Sequence, residues 1–328
     1  MLHMDLSEIK YFESVGITII KQIGFGGYGV VFYVYSAQYQ DYFALKKIPE
    51  CYYKEAEVEC LKVIDDPRKV SLYRVYKFNG VIYLLMEYCP SDLSRVLKHK
   101  QKLSNDTIVK YIREMILAIK ACHDRNIAHS DIKPSNFLID QYGRLKITDF
   151  GLSTIHKDNP QSSLFLGTQL FMAPEIFTSE IYNPIIADIW ALGVTIYFIA
   201  TKKYPFFNDN EMYLESQIVN GKYNKELIKD IELREIVENC LIKNPKMRAT
   251  CDKLLEMPYF TEKNTQNQHS PIPFSKSVLN HAKIVKPFGC FRKSIFSVKS
   301  GLLQNNSNQI RLNYSMKDFN EIKLENPV

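Results

Sequence analysis

Residues 24–29 have the composition and spacing of a loop that could bind phosphate. The pattern is G-x-G-x-x-G, formed by Gly24, Phe25, Gly26, Gly27, Tyr28 and Gly29. Glycine lets backbone N–H groups come close to phosphate oxygens, although a glycine-rich hairpin turn produces the same pattern. The loop therefore indicates a phosphate site only in combination with the element after it.

The residues after the loop distinguish two kinds of nucleotide site. A dinucleotide-binding fold requires a helix after the glycines. In this chain the run VVFYVYSA comes next, and its β-branched and aromatic residues predict a second strand. A glycine loop between two strands is the arrangement that covers the phosphates of ATP, and Val31 would then lie over the adenine ring.

Lys46 is a candidate for a buried cation. It follows a small residue inside the apolar run FALKKI, so its side chain is predicted to point inward. A buried ammonium needs a counter-charge, which ATP phosphates and a helix carboxylate would supply. Glu57, in the predicted amphipathic helix KEAEVECLKVI, is the favoured carboxylate, because Leu61 lies four residues on and shares its face. Glu55 and Glu59 are the alternatives.

Three motifs farther along the chain are more specific. They are H-S-D-I-K-P-S-N at residues 129–136, D-F-G at 149–151 and A-P-E at 173–175. In this order, behind a glycine loop and an Ala-x-Lys, they resemble the eukaryotic protein kinase superfamily of the serine/threonine type. The resemblance extends over about residues 17–260.

This resemblance assigns the chemistry to four residues. Asp131 would hydrogen-bond the substrate hydroxyl, orient it toward the γ-phosphate of ATP and accept its proton, while Lys133 would contact the γ-phosphate. Asn136 and Asp149 would hold Mg²⁺, a hard cation that takes oxygen ligands. The D-x-K form of the loop resembles serine/threonine kinases, so the expected substrates are serine and threonine hydroxyls of proteins.

The same resemblance implies an adenine-binding hinge at residues 86–89. Met86 would be the gatekeeper, while the Glu87 carbonyl and the Cys89 N–H would pair with adenine. The other implied nucleotide contacts are Val31, Ala44 and Leu138 around the adenine ring, and Asp92 at the ribose hydroxyls.

By the same resemblance, three further residues would be structural and have no part in the chemistry: Asp188, Glu175 and Arg248. Asp188 would buttress the loop of residues 129–136, the catalytic loop, and Glu175 would pair with Arg248. Thr168 would line the substrate groove and bond Asp131.

Ser130 departs from the family pattern, which has arginine at this position. That arginine pairs with a phosphate on the activation loop, and a serine hydroxyl cannot replace its guanidinium. We therefore expect activity to depend less on loop phosphorylation through this contact, although Ser162 and Ser163 are candidate phosphorylation sites. The segment from Ser130 to Phe137 also resembles the catalytic loops of some cell-cycle kinases, including the spindle-checkpoint dual-specificity group. Replication-initiation kinases share its K-P-S-N-F part, residues 133–137.

The elements that must position these residues change in type along the chain. Up to about residue 80, short apolar runs and glycines predict strands around one amphipathic helix; after Pro90, helices are predicted at 104–123, 186–201, 231–242 and 250–256. The resemblance implies an α+β, bilobal fold. Its β-rich N-lobe with one regulatory helix would span residues 17–88 and its mainly helical C-lobe residues 90–260, after an N-terminal extension at 1–16.

Composition is that of a globular, intracellular protein. Hydrophobic residues make up 46% and charged residues 24% of the chain. The longest apolar run, residues 189–200, is too short for a membrane span and predicts a core helix. The seven cysteines lack paired spacing and are predicted to be reduced rather than bound in disulfides or to zinc. The start of the chain has no apolar signal segment, so a cytoplasmic or nuclear location is expected.

The net charge of +6 resides in residues 261–328, which carry ten Lys/Arg and four Asp/Glu. Since the rest of the chain is balanced, nucleic-acid binding is not expected. The start of this tail is polar and broken by prolines, which predicts a flexible linker. Residues 283–299 mix basic residues with Phe and Ile. A disordered tail is the simplest interpretation; docking on an acidic partner, binding to an anionic membrane surface and autoinhibition are the alternatives, and docking is favoured among them.

Two other function classes compete with a protein kinase. A pseudokinase scaffold, which binds partners but transfers nothing, would be expected to lack a residue of the catalytic set. Lys46, Asp131, Asn136 and Asp149 are all present. A small-molecule kinase on the same fold is disfavoured by the A-P-E segment and by Thr168.

Overall fold

The computed structural model describes residues 4–26, 29–98 and 103–261. The predicted phosphate contacts of Gly27 and Tyr28 lie outside the described residues. The predicted linker and the docking segment of the tail, in residues 262–328, lie outside them as well.

A five-stranded antiparallel sheet forms the N-terminal lobe. In chain order the lobe contains α1 (Leu6–Ser14), β1 (Ile17–Gly26), β2 (Gly29–Ser36), β3 (Asp41–Pro49), α2 (Glu55–Val63), β4 (Leu72–Phe78) and β5 (Val81–Glu87). The strands lie in the order β1-β2-β3-β5-β4. Short connections in the sequence between the first three strands explain this local pairing, and α2 is the α-helix between strands that the sequence predicts.

Helices dominate the C-terminal lobe. Its helices are α3 (Leu93–Lys98), α4 (Asn105–His123), α5 (Pro174–Thr178), α6 (Pro184–Thr201), α7 (Glu211–Asn220), α8 (Ile231–Cys240), α9 (Cys251–Leu255) and α10 (Pro258–Thr261). Its short strands are β6 (Ser91–Asp92), β7 (Ile127–Ala128), β8 (Phe137–Ile139), β9 (Leu145–Ile147) and β10 (Thr154–Ile155), which pair as β6-β8-β9 and β10-β7. The predicted α+β, bilobal architecture is confirmed.

Both faces of the sheet carry buried apolar side chains. Successive side chains of a strand point to opposite faces. On β3, Phe43 and Leu45 belong to an apolar cluster on the outer face, whereas Ile48 belongs to the core shared with the C-terminal lobe. The side chain of Lys46 lies on the same face of β3 as that of Ile48, and the side chain of Lys47 lies on the face of Phe43 and Leu45. The two neighbouring lysines therefore point in opposite directions.

Helix α1 covers the outer face of the sheet, where the sequence pattern predicted no element. Asp5 and Glu8 form a capping box at its start, in which each side chain accepts a hydrogen bond from the other's backbone N–H. Phe12 is fully buried, with its ring edge-on to those of Tyr76 and Tyr83. The N-terminal extension therefore completes the core of the lobe.

Helix α6 is the centre of the C-terminal core. By length and composition it could cross a membrane, with a mean hydropathy of 1.6, yet 72% of it is buried inside the protein. A helix that is apolar all round is the usual core helix of a large domain. The prediction of a core helix at this position is confirmed, and the predicted helix bounds differ from the observed ones by at most two residues. Helices α1, α3, α5, α7 and α10 were not predicted. The six described cysteines are free thiols.

Candidate active site

Lys46 stands between two carboxylates at the inner face of the sheet. Its Nζ lies 2.6 Å from Oε1 of Glu57 and 2.8 Å from Oδ1 of Asp149. Strand β3 supplies the lysine, α2 supplies Glu57, and Asp149 comes from the loop after β9. The predicted pairing of Lys46 with Glu57 is confirmed, whereas Glu55 and Glu59 are exposed.

Charges in this triad determine how its groups ionise. Burial alone would lower the pKa of Lys46, but the negative charges of Asp149 and Glu57 outweigh burial and raise it above the ordinary lysine value. Burial would likewise raise the pKa of Asp149, but Lys46 outweighs it and lowers that pKa. Lys46 and Asp149 are therefore charged at neutral pH, as a site for a metal and phosphates requires.

The catalytic loop gathers polar side chains around Asp131. Thr168 donates its hydroxyl proton to Oδ1 of Asp131 over 2.9 Å, and Nζ of Lys133 lies 2.9 Å from Oδ2. The Asn136 side-chain amide donates to Oδ2 over 3.0 Å and to the Asp131 backbone carbonyl over 2.8 Å. Lys133 also donates to the Thr168 hydroxyl over 2.9 Å. The carboxylate of Asp131 is thereby held in one orientation.

Asp188 supports this loop from below, as predicted. It accepts hydrogen bonds from the backbone N–H groups of His129, over 2.7 Å, and Ser130, over 2.8 Å. The ring of His129 is fully buried, and its Nε2 lies 3.0 Å from the carbonyl oxygen of Thr148. The N–H of Thr148 in turn donates to the carbonyl of Asn136 over 3.0 Å. Backbone bonds thus join the catalytic loop to the segment that carries Asp149.

The donor set beside Asp131 fits Mg²⁺. The Asn136 amide nitrogen donates to Asp131, and the Asn136 amide oxygen makes no hydrogen bond among the described residues. Asp149 uses only Oδ1 on Lys46, and its side chain remains one-third exposed. An amide oxygen and a carboxylate oxygen are hard ligands of the kind Mg²⁺ takes, with phosphate or water oxygens completing its shell.

The backbone at Asp149 is left-handed, with φ of +65°. This conformation turns the carboxylate toward Lys46, while the next residue, Phe150, is fully buried in the core. The Phe150 ring lies 5.0 Å from that of His129, centroid to centroid. Packing of Phe150 therefore fixes the orientation of Asp149.

The described residues of the predicted phosphate loop lie where β1 ends and β2 begins. Gly24, Phe25 and Gly26 end β1, Gly29 begins β2, and Gly26 pairs with Gly29 across the turn. Phe25 is exposed at the tip. A Cβ at Gly29 would lie 2.1 Å from the carbonyl oxygen of Lys47, so only glycine lets β2 approach β3 this closely.

The residues predicted to line the adenine site lie on four strands, β2, β3, β5 and β8. Ala44 on β3 is directly opposite Met86 on β5, and both are buried, whereas Val31 and Leu138 are half-buried. The backbone N–H of Cys89 makes no hydrogen bond within the described part of the chain. Burial, with the charge of Glu87, raises the pKa of the Cys89 thiol to about 12, so the thiol is neutral. The pairing of adenine with this hinge stays a prediction.

Asp92 has a structural task in addition to its predicted contact with ribose. Its carboxylate accepts a hydrogen bond from the backbone N–H of Arg95 over 2.9 Å, at the start of α3, and also pairs with the Arg95 guanidinium. Contact with a ribose stays a prediction for this residue.

Two charged groups of the site were not predicted from the sequence. The Glu87 carboxylate, at the hinge, lies 2.9 Å from Nζ of Lys146 on β9, and Lys146 also donates to the Pro67 carbonyl over 3.1 Å. Lys146 is buried. Its position inside the apolar run LKI is the same kind of signal that marked Lys46 as a candidate buried cation, but it does not show which carboxylate Lys146 meets.

Hydrogen bonds within the protein hold the segment between Asp149 and Glu175. Ser162 and Tyr182 exchange two backbone hydrogen bonds of 2.9 Å, and the Tyr182 hydroxyl donates to the Leu164 carbonyl over 2.7 Å. At its end Glu175 forms the predicted pair with Arg248, through Nη1 at 2.6 Å and Nη2 at 3.0 Å. These contacts leave the cavity beside Asp131 lined by Leu166, Thr168, Met172 and Tyr182 among others.

Ser130 does not take over the charge of the arginine usual at its position. Its backbone is left-handed, with φ of +63°, and its hydroxyl makes no hydrogen bond among the described residues. Gly167 also has a positive φ, and a Cβ there would lie 2.7 Å from the Ser130 carbonyl oxygen. The loop therefore meets this segment through close backbone packing.

Comparisons with known proteins agree with this geometry. A family model described as protein kinase domain matches residues 17–260. Sperm motility kinase 2B of Mus musculus is 30% identical over 91% of this chain and 62% of its own length. CBL-interacting protein kinase 5 of Oryza sativa subsp. japonica is 33% identical over 62% of the chain and 45% of its own length. CBL-interacting serine/threonine-protein kinase 3 of Arabidopsis thaliana is 31% identical over 62% and 47%. The chain thus spans about three-fifths or less of the length of these curated relatives.

Proposed function

The chain belongs to the protein kinase family, and on that premise we propose that it transfers the γ-phosphoryl group of ATP to serine or threonine hydroxyls of proteins. Asp131 is the catalytic base in this proposal. A relative whose name includes serine/threonine-protein kinase supports the specificity, as does Lys133 two residues after Asp131.

In the proposed reaction the substrate hydroxyl oxygen forms a bond to the γ-phosphorus as the bond from that phosphorus to the β–γ bridging oxygen breaks. The hydroxyl proton passes to Asp131, and ADP leaves. Thr168 and Asn136 hold the Asp131 carboxylate in place, so its other lone pairs face the acceptor. Positioning of this kind supplies much of the acceleration in phosphoryl transfer.

The remaining residues of the site bind and neutralise charge. Lys46, fixed by Glu57, offers its ammonium to phosphate oxygens, and Lys133 lies where it can follow charge on the transferred group. Asn136 and Asp149 would hold Mg²⁺. When bound, the metal neutralises phosphate charge and orients the triphosphate.

One observation carries the proposal. The Glu57–Lys46–Asp149 triad and the cluster of Asp131 with Asn136 are joined by the hydrogen bond from the Thr148 N–H to the Asn136 carbonyl. In the proposal, these linked groups together supply a cation for phosphate, ligands for the metal and a base.

The test is transfer of γ-labelled phosphate from ATP to a mixed protein acceptor, followed by phosphoamino-acid analysis. We expect Mg²⁺-dependent label on serine and threonine. Label on tyrosine alone would contradict the specificity. Binding of Mg-ATP without any transfer would favour the pseudokinase scaffold instead, in which the same site serves only to bind.

We also propose that this kinase acts inside the cell, in cytoplasm or nucleus, and in cell-cycle control. The cell-cycle role is supported only by the sequence of the catalytic loop. The basic tail is proposed to dock on an acidic partner protein, which removal of residues 262–328 would test through a change of location at unchanged activity.

Replacing Ser162 and Ser163 together with alanine should change activity by less than about tenfold, the value of one hydrogen bond. The physical reason is that backbone and tyrosine contacts hold this segment, while Ser130 offers no cation to a phosphate. The measurement is kcat with a protein substrate, with phosphatase-treated wild-type protein as the control. Near-complete inactivation of the double variant would show that loop phosphorylation controls the enzyme after all.

A further inference from the structure

Glu8 on α1 is a buried carboxylate that the proposed chemistry does not use. It is 3% exposed, although it lies in the N-terminal extension ahead of the residues that match the family. The Asp5 backbone N–H donates to its Oε2 over 2.7 Å. Nζ of Lys47 lies 2.6 Å from its Oε1, and the Tyr83 hydroxyl also donates to Oε1. Such a set of donors satisfies a buried carboxylate fully.

The partners of Glu8 lie in one row across the sheet. Lys47 on β3 is directly opposite Tyr83 on β5 and opposite Val30 on β2. Lys47 and Tyr83 are buried, at 5% and 0% exposure. The carboxylate of Glu8 thus connects α1 to two central strands at one level of the sheet.

The neighbouring row on the inner face is the row of the active site. Lys46 is opposite Val31 on β2 and Leu84 on β5, and its ammonium is bound by Glu57 and Asp149. Since Lys46 and Lys47 are consecutive, a shift or rotation of β3 at Lys47 moves Lys46 as well. The two lysines fasten β3 from opposite faces.

The backbone of Lys47 also sets the position of the glycine loop. Its carbonyl oxygen lies so close to Gly29 that a Cβ there would approach it to 2.1 Å. Gly29 begins β2 directly after the loop. Displacement of Lys47 would therefore reach the phosphate site by two routes, through Lys46 and through Gly29.

We propose that Glu8 is a positioning residue for ATP binding, acting through Lys47 on Lys46 and on the glycine loop. The expected effect of Glu8 on phosphoryl transfer rests on the proposed function. Helix α1 is then a part of the catalytic apparatus, and an N-lobe without it binds Mg-ATP weakly.

The test compares Glu8→Gln with Glu13→Gln, which makes the same chemical change at an exposed position of the same helix. For Glu8→Gln we expect the KM for ATP and the Kd for Mg-ATP by calorimetry to rise about tenfold, because small misplacements of binding groups are costly. The KM for the protein substrate should stay unchanged. Tyr83→Phe, which removes one donor to the same carboxylate, should raise both ATP constants by a smaller factor.

A purely structural role for Glu8 predicts a different pattern. It would lower the thermal midpoint and the active fraction, hence the apparent kcat, with the KM and Kd for ATP as in wild type. That result, measured well below the midpoint for either Glu8→Gln or Tyr83→Phe, would overturn the inference. Because the Kd needs no turnover, a wild-type protein that binds Mg-ATP but transfers nothing would refute the proposed function while still testing Glu8. A wild type that does not bind Mg-ATP would overturn both.

Discussion

Replacing Asp131 with asparagine should lower kcat by about 10²–10⁴-fold, the usual contribution of a general base, with the Kd for Mg-ATP close to that of wild type. Asparagine has nearly the shape of aspartate and can still accept from Thr168, but its amide takes up no proton. It also loses the charge beside Nζ of Lys133, 2.9 Å away. The rate of phosphoryl transfer should therefore fall, while nucleotide binding, which we propose to depend on Lys46 and the hinge, should be retained.

The measurement is the rate of labelled phosphate transfer at saturating ATP, with the Kd for Mg-ATP measured by calorimetry alongside. Asp209→Asn is the matched control, since Asp209 is exposed in the loop before α7. A variant with near wild-type kcat would remove Asp131 from the role of base. Loss of ATP binding in Asp131→Asn would mean that the residue holds the site together instead.

Replacing Lys46 with methionine should lower kcat by about 10²–10³-fold, as removal of one preorganised charge donor does in other enzymes. The same change leaves Glu57 buried without its cation, which costs about 3–5 kcal/mol of unfolding free energy. Lys62→Met, at an exposed position of α2, is the matched control. Kinetic assays and chemical denaturation measure the two effects separately.

The Lys46 variant should also respond differently to acid. In the wild type the pKa of Asp149 is lowered, since the charge of Lys46 outweighs burial. A lowered pKa contributes stability that is present above the unfolded-state pKa and is lost as the pH falls through the folded-state value. Without Lys46 this contribution disappears, so the variant's stability should fall less steeply on acidification. Unchanged activity and an unchanged acid response would contradict the role of Lys46 in this triad.

The local sequence was sufficient to predict contacts between residues that lie close together along the chain. Asn136 reaches Asp131 across five residues, within one loop whose motif fixes both. The choice of Glu57 over its two neighbours also followed from local pattern, because one helix face must meet the core. Buried strands such as β5 and the core helix α6 were recognisable from their apolar runs for the same reason.

Local sequence patterns did not predict contacts between residues that lie far apart along the chain. Glu8 meets Lys47 across 39 residues, and Glu87 meets Lys146 across 59. Each is a charged residue in a setting where a solvated side chain is the common outcome, so nothing in its neighbourhood indicates burial strongly enough to name its partner. Helix α1 was missed for a related reason, since its apolar face has meaning only once the outer face of the sheet exists.

The sequence by itself determined which chemical groups this protein has, in what order, and that they suit phosphoryl transfer. The tertiary structure alone decided that Lys46 meets Asp149 across 103 residues, and that Ser162 is fastened to Tyr182 by backbone bonds. It also decided that α1, which precedes the residues matching the family, holds β3 through the contact of Glu8 with Lys47. The physical reason is that motifs record local backbone geometry, whereas charge neutralisation in a core depends on which distant group the fold brings within hydrogen-bonding distance.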